Sequence, residues 1–295
     1  MRRPRVRHVV ASLAAALALG AAAAAAWVMW PLPAGLVAPA SAPGLTLQDR
    51  HGLPLRTTRA ADGSRMRWVR IEEIDPDVLV AFLAVEDRRF YEHRGVDLRA
   101  VGRAFRDNLH AGRIRSGAST ITMQLARLLH PREAVRDRAL GSKAAEAMWA
   151  LRLERHLSKQ QILEQYLNRV HLGEAATGVG AAAAVYFDGS ASELSLGQAA
   201  MLAGLAHAPA RDNPLASPAR ARTRRTAALA RIRARGSASA DEVARADAEP
   251  VSSPGRGGRF LAPHFTARVL AWARDSAAVR AAGAVRTSLD LELQE

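Results

Sequence analysis

The sequence has no cysteine, so neither a disulfide framework nor thiolate chemistry is open to it, although that lack names no compartment. It contains no Ser-x-x-Lys and no Lys-Thr-Gly, which removes the serine acyl-transfer machinery those patterns carry. No two histidines have the helical spacing of a hydrolytic zinc site. Acids are scarce: 28 Asp and Glu face 42 Lys and Arg, giving a net charge of +14. Aromatics make up only 5% and do not interleave with the arginine-rich run at 211–235, so nucleic acid is a poor reading of the positive charge. A solvated basic face, or one touching anionic lipid head groups, fits that run better.

What is present is enough for a folded domain with a real core plus appendages: 295 residues, 49% of them hydrophobic. Arg2, Arg3, Arg5 and Arg7 precede an uncharged run at 9–30 that is long enough to cross a bilayer. Cations on that flank keep the N-terminus cytoplasmic and place the rest outside. The run exceeds a usual signal core, so an uncleaved anchor is expected, with Trp27 and Trp30 at an interfacial belt. Residues 31–43 read as a Pro/Ala/Gly linker and 45–69 as two short strands with turns at His51-Gly52 and Asp62-Gly63. From Asp75 to about Arg235 the pattern is helical almost throughout, and the fold class is mainly α.

The densest chemistry lies at 86–97, where Glu86, Asp87, Glu92 and Asp97 share twelve residues with three arginines, His93 and two aromatics. Asp75-Pro76 starts an apolar helix that ends near Glu86. A carboxylate there is partly desolvated, which favours the protonated form and suits a general base. For any one acid a solvated turn is as good a reading; for the cluster it is weaker. A metal site from Asp87, Glu92, His93 and Asp97 ranks below acid-base work. Leu98, Val101, Phe105 and Leu109 form one face of a following helix. Thr120, Gln124 and Arg127 share a stripe of the next, capped by Ser119 or Thr120, with Ile121, Leu125, Leu128 and Leu129 on a separate apolar face. Lys143 and Glu146 share a helix face, and their spacing alone suggests a surface ion pair. Ile162, Leu163, Tyr166 and Leu167 point inward from another helix, with Glu164 and Asn168 as buttresses.

These residues resemble a known family. The run at 86–97 matches the first motif of the glycosyltransferase family 51 peptidoglycan polymerases, the transglycosylase half of class A penicillin-binding proteins. Residues 117–127 resemble the second, Lys143-Ala144-Ala145-Glu146 the third, 159–168 the fourth and 178–205 the fifth. Met123 followed by Ala126-Arg127-Leu128-Leu129 is similar to the penicillin-binding protein 1C branch. Ser142 departs from the arginine usual before the third-motif lysine, with Arg138 a candidate substitute, and Arg127 stands where many members carry lysine.

The resemblance implies a lysozyme-like helical domain that polymerises lipid II, with inversion and release of undecaprenyl pyrophosphate. It implies Glu86 as base, Lys143 and Arg127 as holders of the pyrophosphate, and Glu146 as the second acid, orienting Lys143 or a divalent ion. Ser119, Thr120 and Gln124 would line the donor site, while Asp87, His93 and Arg94 would shape the loop around Glu86. A magnesium or manganese ion near the pyrophosphate is implied, and no organic cofactor. The expected organisation is a cytoplasmic basic tail (1–8), a transmembrane anchor (9–30), a linker with a small β element (31–70), the glycosyltransferase domain (71–235), and a linker leading into a missing transpeptidase domain (236–295). That places a single-pass protein in the cytoplasmic membrane with its catalytic domain in the periplasm. Its expected partners are lipid II, the membrane and other cell-wall synthesis proteins, a transpeptidase among them. Rival readings are a lysozyme-like glycan-cleaving enzyme and an inactive scaffold of a cell-wall complex.

Overall fold

The computed structural model describes residues 3–37, 45–52, 54–58, 65–112, 117–129, 140–174, 176–251, 262–274, 276, 284–290 and 293. The described residues are mainly helical. The helices are α1 (Arg3–Met29), α2 (Pro76–Glu86), α3 (Leu98–Ala111), α4 (Ile121–Leu129), α5 (Leu140–His156), α6 (Lys159–Arg169), α7 (Val179–Phe187), α8 (Leu196–Leu205), α9 (Pro218–Ala234), α10 (Ala240–Ala248) and α11 (Pro263–Arg274). The strands are short: β1 (Thr46–Gln48), β2 (Pro54–Thr57), β3 (Arg65–Met66), β4 (Ala176–Thr177) and β5 (Ala284–Arg286). The chain divides into two compact units, one of Met1–Leu36 with Tyr91–Ile162 and one of Val37–Phe90 with Leu163–Glu295.

In the first unit α1 carries an apolar stretch, His8–Met29, long enough to cross a membrane and nowhere buried against the protein. Its C-terminal end is fastened to α5. The Trp27 and Trp149 rings meet edge to face with centroids 4.7 Å apart, and the Arg152 guanidinium lies 4.5 Å from one centroid and 4.9 Å from the other. Arg152 Nε also donates to the Trp30 carbonyl at 3.1 Å, and its Nη2 donates to that of Pro31. A helix end leaves such carbonyls without intrahelical partners, so a buried arginine satisfies them while stacking on the rings. Trp27 is thus a packing residue as well as a candidate belt residue. The apolar stripe of α3 forms as its spacing predicts, but it faces out: Leu98, Val101, Phe105 and Leu109 are all exposed. On α4, Ile121 and Leu125 are buried, while Leu128 lies at the surface.

In the second unit α2 packs against α8 and α9. Val78, Ala81 and Phe82 are buried, with the Phe82 ring edge-on to Tyr166. Every residue of α8 from Gly197 to Leu205 except the polar Gln198 is buried, which accounts for its apolar composition. A Cβ at Gly204 would come within 3.2 Å of the Arg224 backbone oxygen, so the bare glycine lets α9 approach closely. Ser195 caps α8, accepting from the Gln198 amide at 3.2 Å.

Three strands, rather than the two expected, precede α2, and they join two sheets: β2-β1-β5, with β1 antiparallel to β2 and parallel to β5, and a parallel β3-β4 pair. Pairing with residues far along the chain is what the local alternation could not convey. The His51-Gly52 turn is present, with Gly52 at φ +90°, whereas Asp62-Gly63 lies outside the described residues. Glu164 and Asn168 act as buttresses. Glu164 accepts from the Ile71 amide at 2.9 Å, and Asn168 both accepts from the Val69 amide and donates to the Val69 carbonyl at 2.8 Å.

The arginine-rich helix α9 is not simply a solvated face. Arg225 is fully buried and donates to the carbonyls of Asp247, in the last turn of α10, and of Glu249 and Pro250 beyond it. Arg224 and Arg211 both hold Asp212, at 2.6 and 2.8 Å. Hydrogen bonds from these guanidiniums, that of Arg211 first, lower the Asp212 carboxyl from 3.8 to about 2. A depressed carboxylate stabilises the fold above its unfolded pKa and loses that contribution as pH falls through the folded one. Asp212→Asn should therefore lower the denaturant midpoint at pH 6, and the gap from wild type should close as pH drops from about 4 to about 2.

Candidate active site

In the second unit the first-motif acid closes α2. Glu86 is the last helical residue, and its side chain is 1% exposed. Asp87 is the C-cap, buried, with its amide donating to Leu83 O. Arg231 of α9 donates to the Val85 carbonyl at 3.1 Å. His207, just beyond α8, sets its Nδ1 2.8 Å from Glu86 Oε1 while its own side chain remains 58% exposed. The close contact with Glu86 raises the imidazole above 6.5, against burial and the opposing charges of Arg231 and Arg224. Sequence reading missed His207. Nothing near it in the chain marks it, because its partner comes from the other end of the domain.

In the first unit the rest of the first motif folds onto α5. Gly95 adopts φ +91°, and a Cβ there would stand 2.7 Å from the Ala150 carbonyl oxygen, so only glycine fits without displacement. The Gly95 amide donates to His93 Nδ1 at 3.2 Å, and the buried Thr120 hydroxyl donates to the Gly95 carbonyl at 2.6 Å. The same hydroxyl accepts from the Met123 amide at 3.1 Å, capping α4. Thr120 thus clamps the loop and starts the helix, with its proton committed to Gly95. Arg94 stays exposed beside the buried His93. Asp97 caps α3 through the Ala100 amide at 2.8 Å.

The structure brings Ser119, Arg127, Lys143 and Glu146 together. Glu146 is buried, with its side chain 3% exposed; Lys143 Nζ lies 2.6 Å from Oε2, and Arg127 Nε lies 3.8 Å from Oε1. Lys143 also reaches Ser119 Oγ at 3.4 Å. The two cations are 46% and 49% exposed, so one buried carboxylate anchors two charged ends that face solvent. Gln124 is half-buried one turn before Arg127, and Ser142 is half-buried beside Lys143. Arg138 lies outside the described residues.

Only two lysines occur among the chain's 42 Lys and Arg residues, Lys143 and Lys159. Lys159 Nζ sits 2.7 Å from both Glu154 Oε1 and the His93 carbonyl, and Thr122 Oγ1 donates to the same Glu154 oxygen at 2.7 Å. A compact ammonium can meet such convergent acceptors where a planar fork cannot. Beside this network lies a cleft of about 760 Å³, with Ala24, Val28 and Leu151 on its apolar side and Arg94 and Arg155 on its basic side.

No three His, Asp or Glu side chains gather into a metal-holding cluster among the described residues. Both oxygens of Glu146 face cations. Among the described residues, the side chains around Glu146 offer a divalent ion no further set of ligands.

Residues 52–233 match the family model described as Transglycosylase, which covers more than half of the chain. The chain belongs to the transglycosylase family. It is 39% identical to penicillin-binding protein 1C of Escherichia coli (strain K12) over 273 residues, covering 92% of this chain and 34% of that protein. It is 44% identical to penicillin-binding protein 1A of Aquifex aeolicus (strain VF5) over 185 residues, 63% of this chain and 25% of the relative. The chain therefore spans about a third or less of the length of these relatives. The crystal structure of penicillin-binding protein 1A from Haemophilus influenzae superposes over 85% of this chain and 28% of its own, with 23% identity and a TM-score of 0.43.

Within this transglycosylase the clamp and the cation cluster should separate by experiment. Thr120→Val removes a buried cap and leaves the Gly95 carbonyl without its donor, which should lower unfolding stability by about 1–3 kcal/mol in a denaturant titration. Lys143→Ala, at a half-exposed ammonium, should leave the denaturant midpoint within a few tenths molar of wild type.

Proposed function

We propose that this transglycosylase polymerises lipid II into glycan strands at the outer face of the cytoplasmic membrane and releases undecaprenyl pyrophosphate. The observation that carries this reading is the pair of exposed cations, Lys143 and Arg127, anchored on the buried Glu146. A diphosphate leaving group needs charge-assisted contacts that strengthen as its charge develops. Hydrolysis of finished glycan places no comparable demand on a cleft.

In the reaction, Glu86 accepts the proton of the acceptor's 4-hydroxyl as the oxygen attacks the anomeric carbon of the donor. The bond from that carbon to the pyrophosphate oxygen breaks, and its electron pair leaves with the pyrophosphate held by Lys143 and Arg127. Inversion follows from attack opposite the leaving group. Glu146 keeps both cations in place, Ser119 and Gln124 line the donor side, and Thr120, Asp87, His93 and Arg94 shape the loop. A divalent ion enters this account as a companion of the substrate's pyrophosphate, with no step assigned to it.

Attachment to the membrane is supported by α1 and by the uncovered apolar stripe of α3. Arginines at 2, 3, 5 and 7 support an N-terminus inside and a catalytic domain in the periplasm. The stacking of Trp27 and Arg152 against α5 supports retention of the anchor, since cleavage beyond it would strip those contacts. The glycan strand so made is a substrate for a crosslinking transpeptidase, which we count among the cell-wall partners.

The decisive experiment incubates the detergent-solubilised chain with fluorescent lipid II. Wild type should build chains that lysozyme digests, and Glu86→Gln should lower the rate at least a hundredfold. Product from finished peptidoglycan but none from lipid II would instead identify a glycan-cleaving enzyme. Intact lipid II binding without product from either substrate would identify a scaffold.

A further inference from the structure

We propose that His207 is a positioning residue for the base: as an imidazolium on Nδ1 it holds Glu86 ionised and aimed, so that the carboxylate is ready to take the acceptor's proton. The proposal rests on the polymerase reading of Glu86 and adds a residue to it.

Two features of the site work against a carboxylate's charge. Glu86 is almost completely withdrawn from solvent, where a charged group needs a partner. It is also the last residue of α2, where the helix dipole presents its negative end. A general base must nevertheless start deprotonated. Arg231 addresses the second problem, because it donates to the Val85 carbonyl in that last turn. His207 addresses the first, because its ring nitrogen lies 2.8 Å from Glu86 Oε1. An opposite charge at such a distance favours the ionised carboxylate.

The ring spans two environments. One edge meets the buried carboxylate and the rest is more than half exposed, so the imidazolium exchanges its proton with water while its contact stays dry. The charged groups facing it are Glu86 at the end of α2 and Arg224 and Arg231 on α9. The contact with Glu86 outweighs the two arginines, and the imidazole holds its proton to higher pH than a free one. Through the glycosyl transfer His207 keeps that proton. The one abstracted from the acceptor hydroxyl goes to Glu86 and then to solvent.

The test compares kcat/KM for lipid II polymerisation across pH in wild type, His207→Gln and His207→Lys. His207→Gln, which keeps a polar side chain but no charge, should move the acidic limb upward by about one pH unit, about a tenfold loss of rate on that limb. His207→Lys, which restores a cation on a flexible and largely exposed stem, should return the limb toward wild type. A loss in His207→Gln that is equal at every pH, with no rescue by lysine, would show a merely structural residue and overturn the proposal. In parallel, NMR titration of the His207 ring in wild type and Glu86→Gln should show its midpoint fall when the carboxylate is removed. An unchanged midpoint sinks the pairing even if the enzyme polymerises. Wild-type protein that makes no polymer at any pH refutes the polymerase reading and the catalytic role with it, while the NMR midpoint still decides the contact.

Discussion

The first unit depends on the approach of the Gly95 backbone to α5. With φ at +91° and the Ala150 carbonyl 2.7 Å from where a Cβ would be, this contact admits no side chain. Thr120 and His93 secure the turn from either side, and Lys159 holds the His93 carbonyl. One short segment is therefore tied to α4, α5 and α6 by polar contacts converging on a single glycine. The helix it lands on also carries Lys143 and Glu146 toward one end and Trp149 and Arg152 toward the other. The buried acid with its cations and the contacts to α1 share a rod about 25 Å long, the length of seventeen helical residues.

Both units solve the same electrostatic problem, a carboxylate removed from water. Glu146 is matched by two cations that remain partly in solvent, an arrangement that leaves positive charge at the surface. Glu86 is matched by one histidine, whose charge depends on pH. Asp212 is a third case: held by Arg211 and Arg224, it anchors the start of the arginine-rich segment.

Much of the fold was legible because local signals carried it. Asp75-Pro76 starts α2, Ser195 with Gln198 starts α8, and the spacing of Ile162, Leu163, Tyr166 and Leu167 marks a buried face. Periodicity tells which residues share a face, not what covers that face. The stripe of α3 shows the difference, as good in pattern as a core helix and yet exposed. The arginine-rich run at 211–235 shows the converse: its eight arginines read as a solvated surface, but Arg225 is buried because the carbonyls at 247–250 come to meet it.

By itself the sequence determined the helical class, the apolar N-terminal helix and the motif residues Glu86, Arg127, Lys143 and Glu146, because each is a matter of composition or of short spacing. Only the tertiary structure decided that Lys143 and Arg127 share one buried acid, that Thr120 is a clamp, that β1 pairs with β5, and that His207 meets Glu86. Those are contacts between segments distant in the chain, and no local pattern encodes the partner that folding brings to a side chain.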